Sequence, residues 1–181
     1  MSSAEKIIYT IGHSTRSEEE FIAILSSFSI EVLVDIRSYP GSRKYPHFNK
    51  EHLQKILPEH KIIYQHFPQL GGRRKVVKDS KNNAWRNDAF RGYADYMQTE
   101  EYKKGIADLE AVAEKYTTAY MCSEAVWWRC HRSMVSDYLK WKGWNVQHIL
   151  SKNKSEEHPY TSPAKIVNGK LSYSDEQQTL F

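Results

Sequence analysis

Apolar and polar positions alternate along this chain with two periods, one near two residues and one near four. Lys6–Ile11, rich in Ile, Tyr and Thr, predicts a strand, and Gly12-His13-Ser14 a turn after it. Ser17 has the chemistry of a helix N-cap. Glu18–Glu20 follow in the first turn, then Phe21, Ile24, Leu25 and Phe28 at helical spacing. Val32–Ile36 is a short apolar run of the kind found in buried parallel strands. Arg37–Phe48 contains Pro40, Gly41 and Pro46 and predicts an irregular loop, after which Asn49 starts a helix to about Leu57. Ile62–Phe67 is the third strand. Pro68–Asn83 is a long basic loop, of a length that inside a domain marks function or mobility. Trp85–Gln98 and Glu101–Tyr116 predict two helices, Thr117–Cys122 a fourth strand, His131–Lys142 a helix closed by Gly143, and Val146–Leu150 a fifth strand.

Strands alternating with helices predict an α/β fold: a single Rossmann-like domain whose mostly parallel sheet of about five strands carries helices on both faces. This domain is expected over residues 1–151. Residues 152–181 form a C-terminal extension, with a hairpin signal at Asn168-Gly169 inside Val167–Tyr173 and a free tail in the last eight residues.

The length of 181 residues suits one domain, and 40% hydrophobic residues exclude a disordered chain. No apolar run is long enough to span a membrane, and the first residues lack a signal-peptide pattern, so a cytoplasmic location is expected. Two cysteines make no disulfide framework. The net charge of +4 is compatible with an anionic partner. Aromatic residues beside Arg, as in Trp85-Arg86 and Trp127-Trp128-Arg129, suit base stacking combined with phosphate contact, although half-buried surface aromatics have the same composition. No Walker loop and no GxGxxG is present, and no cofactor is assigned.

Ligands of open parallel sheets bind beyond the carboxyl ends of the strands. His13 and Ser14 end the first strand, Asp35 and Arg37 the second, Cys122 and Glu124 the fourth, and Cys130, His131 and Arg132 open the next helix. The candidate catalytic residues are therefore Cys122, Glu124, His131, Asp35 and His13. Ser14, Arg37, Arg43, Gly71, Gly72, Arg73, Cys130 and Arg132 are the candidate substrate-binding residues. Facing a helix N-terminus and nearby Arg, Cys122 is expected to be more acidic than a free thiol. Its alternative role is core filling, and Asp35–Arg37 read alone is an ordinary ion pair. Cys122, Cys130, His131 and His13 match no standard zinc spacing, so no metal is assigned.

The segments TIGHS at Thr10–Ser14, LVDIRSYPGSRKYPHF at Leu33–Phe48, LGG at Leu70–Gly72, YADYM at Tyr93–Met97 and MCSEAVWWRCHR at Met121–Arg132 together resemble the family called domain of unknown function 488. The resemblance implies one α/β domain and supplies no reaction. More distantly, Val32–Arg37 resembles the Asp-x-Arg strand of rhodanese-like sulfurtransferases. Tyr120–Ile149 resembles their strand–Cys–loop–Arg–helix–Gly–strand unit. That resemblance implies Cys122 as nucleophile, with Arg129 or Arg132 holding a persulfide or an anionic substrate. The chain departs from it in a longer Cys-to-helix loop carrying Glu124, Trp127 and Trp128, and Trp128 stands where related phosphatases have Arg.

The chain ends SDEQQTLF, in which Gln177, Leu180 and Phe181 resemble the peptide that docks bacterial replication and repair proteins on the sliding clamp. Gln178 departs from the usual Leu. These features lead to the expectation of an enzyme acting on a nucleic acid or nucleotide-like anion and recruited to DNA by its tail. A non-catalytic nucleic-acid-binding module and a sulfur carrier using Cys122 are the alternatives.

Overall fold

A computed structural model describes residues 3–176. Strands β1 (Ile7–Gly12), β2 (Val32–Asp35), β3 (Ile63–His66), β4 (Thr118–Cys122), β5 (Asn145–Ser151) and β6 (Lys154–Glu157) form one sheet in the order β3-β2-β4-β1-β5-β6. The first five run parallel, and β6 returns antiparallel to β5. Helices α1 (Glu18–Ser27) and α2 (Lys50–Ile56) cover one face, and α3 (Asp88–Tyr96), α4 (Glu100–Lys115) and α5 (Arg132–Trp141) the other. The protein is thus a Rossmann-like α/β domain with a mostly parallel sheet and helices on both faces.

The central strands are buried on both sides, so they read as apolar runs rather than alternations. Their side chains still divide by parity. Leu33, Ala119 and Met121 face α1 and α2, while Val32, Val34, Tyr120 and Cys122 face the three-helix layer. Ser17 caps α1 through a bond from the Glu20 amide, and Asn87 and Thr99 cap α3 and α4 in the same way. Two boundaries shift for this reason: the Asn87 and Thr99 side chains fix starts at Asp88 and Glu100 rather than at Trp85 and Glu101. A sixth strand also joins the expected five. Its sequence, Lys-Ser-Glu-Glu, is polar because it is a solvated edge, which gave no apolar signal. Beyond it, β7 (Lys165–Val167) and β8 (Lys170–Ser172) form a separate hairpin, with Asn168 and Gly169 both at positive φ as a two-residue turn of this kind requires.

The strand order creates the site. From β1 the chain passes through α1 toward β2 and β3. From β4 it passes through α5 across β1 to β5. Adjacent strands β1 and β4 therefore release the chain in opposite directions on opposite faces, which opens a crevice beyond their carboxyl ends.

Candidate functional site

Backbone pairing continues past the strand ends at this crevice. His13 donates to the Cys122 carbonyl at 3.0 Å, Ser14 to the Ser123 carbonyl at 2.9 Å, and Ile36 to the Met121 carbonyl at 3.0 Å. Ser14 adopts φ of 52°, a left-handed conformation that turns the chain out of β1 toward α1. These turns wall a cleft of about 680 Å³, within the range of small-molecule sites. Of the residues expected from the sequence, His13, Ser14, Arg37, Gly72, Arg73, Cys122, Glu124, Cys130 and His131 line it. Asp35 and Arg132 are buried directly behind the wall. Gly71 packs against Ser38 and Pro68 instead of facing the cleft, and Arg43 is exposed on the neighbouring loop outside the lining.

One wall is built on Asp35. Its carboxylate accepts two bonds from the Arg37 guanidinium, at 2.9 and 2.7 Å, and a third from the Tyr64 hydroxyl. Burial opposes the Arg37 charge, and Asp35 more than restores it. Arg37 also donates to the Phe48 carbonyl at 2.7 Å and approaches Nε2 of His13 at 3.3 Å. His13 meets the Ser14 carbonyl at 2.9 Å through Nδ1, which makes Nδ1 its protonated nitrogen and leaves Nε2 to accept from Arg37. Burial, with Arg37 alongside, lowers its pKa to about 4. His13 is therefore a neutral ring at neutral pH.

The floor is made of sulfur and a guanidinium. The Cys122 and Cys130 sulfurs lie 2.7 Å apart, as free thiols close enough to share a proton. Arg132 donates from Nε to the Cys122 sulfur at 3.3 Å and from its backbone amide to the Cys130 sulfur at 3.4 Å. Its remaining nitrogens bond Thr10 Oγ1 at 2.6 Å and the Glu124 carbonyl at 2.9 Å. Among the described residues no carboxylate contacts Arg132, although it is 1% exposed. Burial raises the Cys122 pKa well above that of a free thiol. Burial acts against Cys130 too, but the bond from the Cys122 thiol and the nearby Arg132 outweigh it and hold Cys130 below the ordinary range. The two sulfurs titrate as one coupled pair, so the acidity expected of Cys122 becomes a property of the pair.

His131 presses against this pair. Its Nδ1 lies 3.6 Å from the Cys130 sulfur, its Nε2 donates to the Ile36 carbonyl at 3.3 Å, and burial lowers its pKa. The Gly72 backbone covers it closely: a Cβ there would sit 3.1 Å from Nδ1, tight enough that the ring would have to give by a few tenths of an ångström. The rim is cationic and aromatic. Arg73 lies over the Tyr39 ring, Arg129 and Glu124 are exposed, and Phe90 stacks on Trp85 at 4.8 Å. The basic loop holding Gly72 and Arg73 is pinned to α3 by Asp95, which accepts from Val77 N, Ser80 Oγ and Asn82 Nδ2. Among the described residues no three His, Cys, Asp or Glu side chains converge to hold a metal.

Ser38, Tyr39, Tyr45, Phe90, Tyr93 and Ser123 also line the cleft and were missed from sequence. Tyr39 carried the one usable signal, an aromatic beside Pro and Gly in a loop that follows a strand.

Fold and site together define an α/β domain with a thiol-floored, cation-rimmed cleft at the switch point of its sheet. The chain belongs to the family described as Domain of unknown function DUF488, whose family model matches residues 17–139, from α1 to α5. No curated protein and no solved structure matches it. The matched region holds Asp35, Arg37, Gly72, Cys122, Cys130 and Arg132, while Thr10 and His13 lie before it. No helix among the described residues is long and apolar enough to cross a membrane.

Proposed function

We propose that this protein is an enzyme that uses its cysteine pair on an anionic, nucleotide-like substrate bound in the cleft. The observation that carries the reading is Arg132, a buried guanidinium set against two sulfurs with no carboxylate in contact among the described residues. A buried charge without compensation costs several kcal/mol. One negative charge on the sulfur pair removes that cost, so the pair is held as S–H···S⁻. Cys130 is the nucleophile, Cys122 retains the shared proton, and His131 is the base beside them. Glu124, on the exposed rim, is the carboxylate that would exchange a proton with bound substrate. Arg73 and Arg129 bind phosphate, and Tyr39, 76% exposed, and Phe90 offer faces for a base.

The test is iodoacetamide alkylation of the intact protein across pH. Cys130 should titrate below the free-thiol value of about 8.5, and Cys130→Ser should remove that phase. A nucleoside monophosphate or a short single-stranded oligonucleotide should protect the thiol, with protection weakening as salt rises. A thiol titrating at or above the free value, or lack of protection by both probes, overturns the reading. Tight oligonucleotide binding together with an ordinary thiol would favour the non-catalytic module, and sulfur transfer from thiosulfate that depends on Cys122 would favour the sulfur carrier.

Recruitment to DNA rests on the tail pattern, since Gln177, Leu180 and Phe181 lie outside the described residues. Burial of one Leu and one Phe contributes roughly 3–6 kcal/mol before ordering costs, which with Gln178 in place of Leu gives an affinity of micromolar order. Deleting Leu180 and Phe181 should abolish binding to a bacterial sliding clamp, measured by surface plasmon resonance, and leave the melting temperature unchanged. A full-length chain that fails to bind the clamp removes the recruitment.

A further inference from the structure

The thiol chemistry leaves unused a set of buried polar side chains that join into one line ending on Arg132. The Asp137 carboxylate meets His158 Nε2 at 2.8 Å, His158 Nδ1 meets His148 Nε2 at 2.8 Å, and His148 Nδ1 meets Thr10 Oγ1 at 2.7 Å. Thr10 Oγ1 accepts from Arg132, which donates onward to the Cys122 sulfur. All four relay residues are fully buried. They come from α5, from the segment just after β6, from β5 and from β1, so the line ties four parts of the fold to one guanidinium.

One proton arrangement satisfies every link. Asp137 accepts from His158 Nε2–H, His158 Nδ1 from His148 Nε2–H, His148 Nδ1 from the Thr10 hydroxyl, and Thr10 Oγ1 from Arg132. The reverse order would make both His148 and Arg132 donate to Thr10, leaving its own proton without an acceptor among the described residues. Both rings are then neutral with the proton on Nε2. The environment agrees for His148: burial, His158 and Arg132 together oppose its protonation. The ends are fixed independently. Asp137 also accepts from Thr161 N at 2.9 Å, from the Thr161 hydroxyl and from the Tyr173 hydroxyl at 2.8 Å. His148 is clamped face to face under Trp127, with ring centroids 4.5 Å apart and planes inclined by 2°.

We infer that the line Asp137–His158–His148–Thr10 is a positioning device that aims Arg132 at the cysteine pair and thereby sets its ionisation. The inference rests on the reading of that pair as the reactive centre. A guanidinium nitrogen bound to a hydroxyl whose proton is drawn toward a carboxylate has a strong, directed acceptor. With one terminal nitrogen held by Thr10 and the other by the Glu124 carbonyl, the guanidinium plane is fixed so that the Nε–H faces sulfur. Without Thr10 Oγ1 the buried nitrogen loses its acceptor, and the group turns to recover one.

Thr10→Val keeps the shape of the side chain in β1 and removes the oxygen, whereas Thr10→Ser keeps the oxygen. Alkylation of Cys130 by iodoacetamide at neutral pH should slow by roughly tenfold in Thr10→Val, its pH profile moving to higher pH, and should recover in Thr10→Ser. An unchanged profile in a folded Thr10→Val protein, or equal loss in Thr10→Ser, overturns the inference. Nitrogen-15 spectra of the wild-type histidine rings give a separate readout, and both His148 and His158 should be neutral with the proton on Nε2. A proton on Nδ1 of either ring overturns the relay even if Thr10→Val does not fold. If wild-type Cys130 titrates as a free thiol, the functional reading falls, and the ring tautomers alone decide whether the line exists.

Discussion

Acidification from about pH 7 to about pH 5 should cost the folded protein about 4 kcal/mol of stability. Two buried rings produce this. His13, desolvated and beside Arg37, protonates in the fold only near a pKa of about 4, and His148, desolvated and beside His158 and Arg132, near about 2. In the unfolded chain both return to the ordinary value of 6.5. Between the two values the unfolded chain binds protons that the fold refuses. Their contribution is therefore complete above about pH 6.5 and is lost as pH falls below it. Each ring gives up about 1.4 kcal/mol per pH unit, hence about 2 kcal/mol at about pH 5. His131, also lowered by burial, acts in the same direction. The His13 loss levels off near pH 4, where the folded form protonates too, while the His148 loss continues. Urea unfolding across this range should show stability falling with a slope that approaches about two protons per molecule. A flat profile, or both rings titrating near the ordinary value in the folded protein, would mean that water reaches them.

The same two rings show what a sequence can and cannot carry. His13 was legible because it follows a strand directly, and the parallel order predicts that strand ends meet. Cys122, Cys130 and His131 were legible for the same reason, as local features of one strand, one loop and one helix start. His148 was not. It sits in β5 between Gln147 and Ile149 with no motif to mark it, and its partners Thr10, His158 and Asp137 are separated from one another along the chain. Arg132 is legible as a neighbour of the Cys122 sulfur, but its depth beneath the floor and its bonds to carbonyls come from packing alone. The pairing of Cys122 with Cys130 depends on a distance between the end of β4 and the loop before α5, which periodicity does not report. β6 escaped for the opposite reason: as an edge its residues are charged, and its identity as a strand comes wholly from its partner β5.

Gly12→Ala should be the most damaging small substitution in the protein. Gly12 is the last residue of β1, paired with Cys122 in the parallel register. A Cβ built there would sit 1.7 Å from the Glu124 carbonyl oxygen, 2.5 Å from its carbon and 3.1 Å from the Ala125 Cα. All three are backbone atoms, so no rotamer change can relieve the contact. Either β1 or the loop after β4 must move, at a cost above about 3 kcal/mol, the upper end of ordinary overpacking. The displaced carbonyl is also the one that receives Arg132 at 2.9 Å, so the loop cannot retreat without releasing the guanidinium from the sulfurs. Loss of stability and loss of the acidic thiol should therefore appear together: a lower urea midpoint, and in whatever fraction stays folded, Cys130 alkylation shifted to higher pH. Gly41→Ala is the matching control, because its Cβ would meet nothing within 4 Å and its backbone is not left-handed. It should leave both measurements within experimental error. A Gly12→Ala protein as stable as the wild type would mean that the loop after β4 does not lie against β1, and the close packing that confines Arg132 would be lost with it.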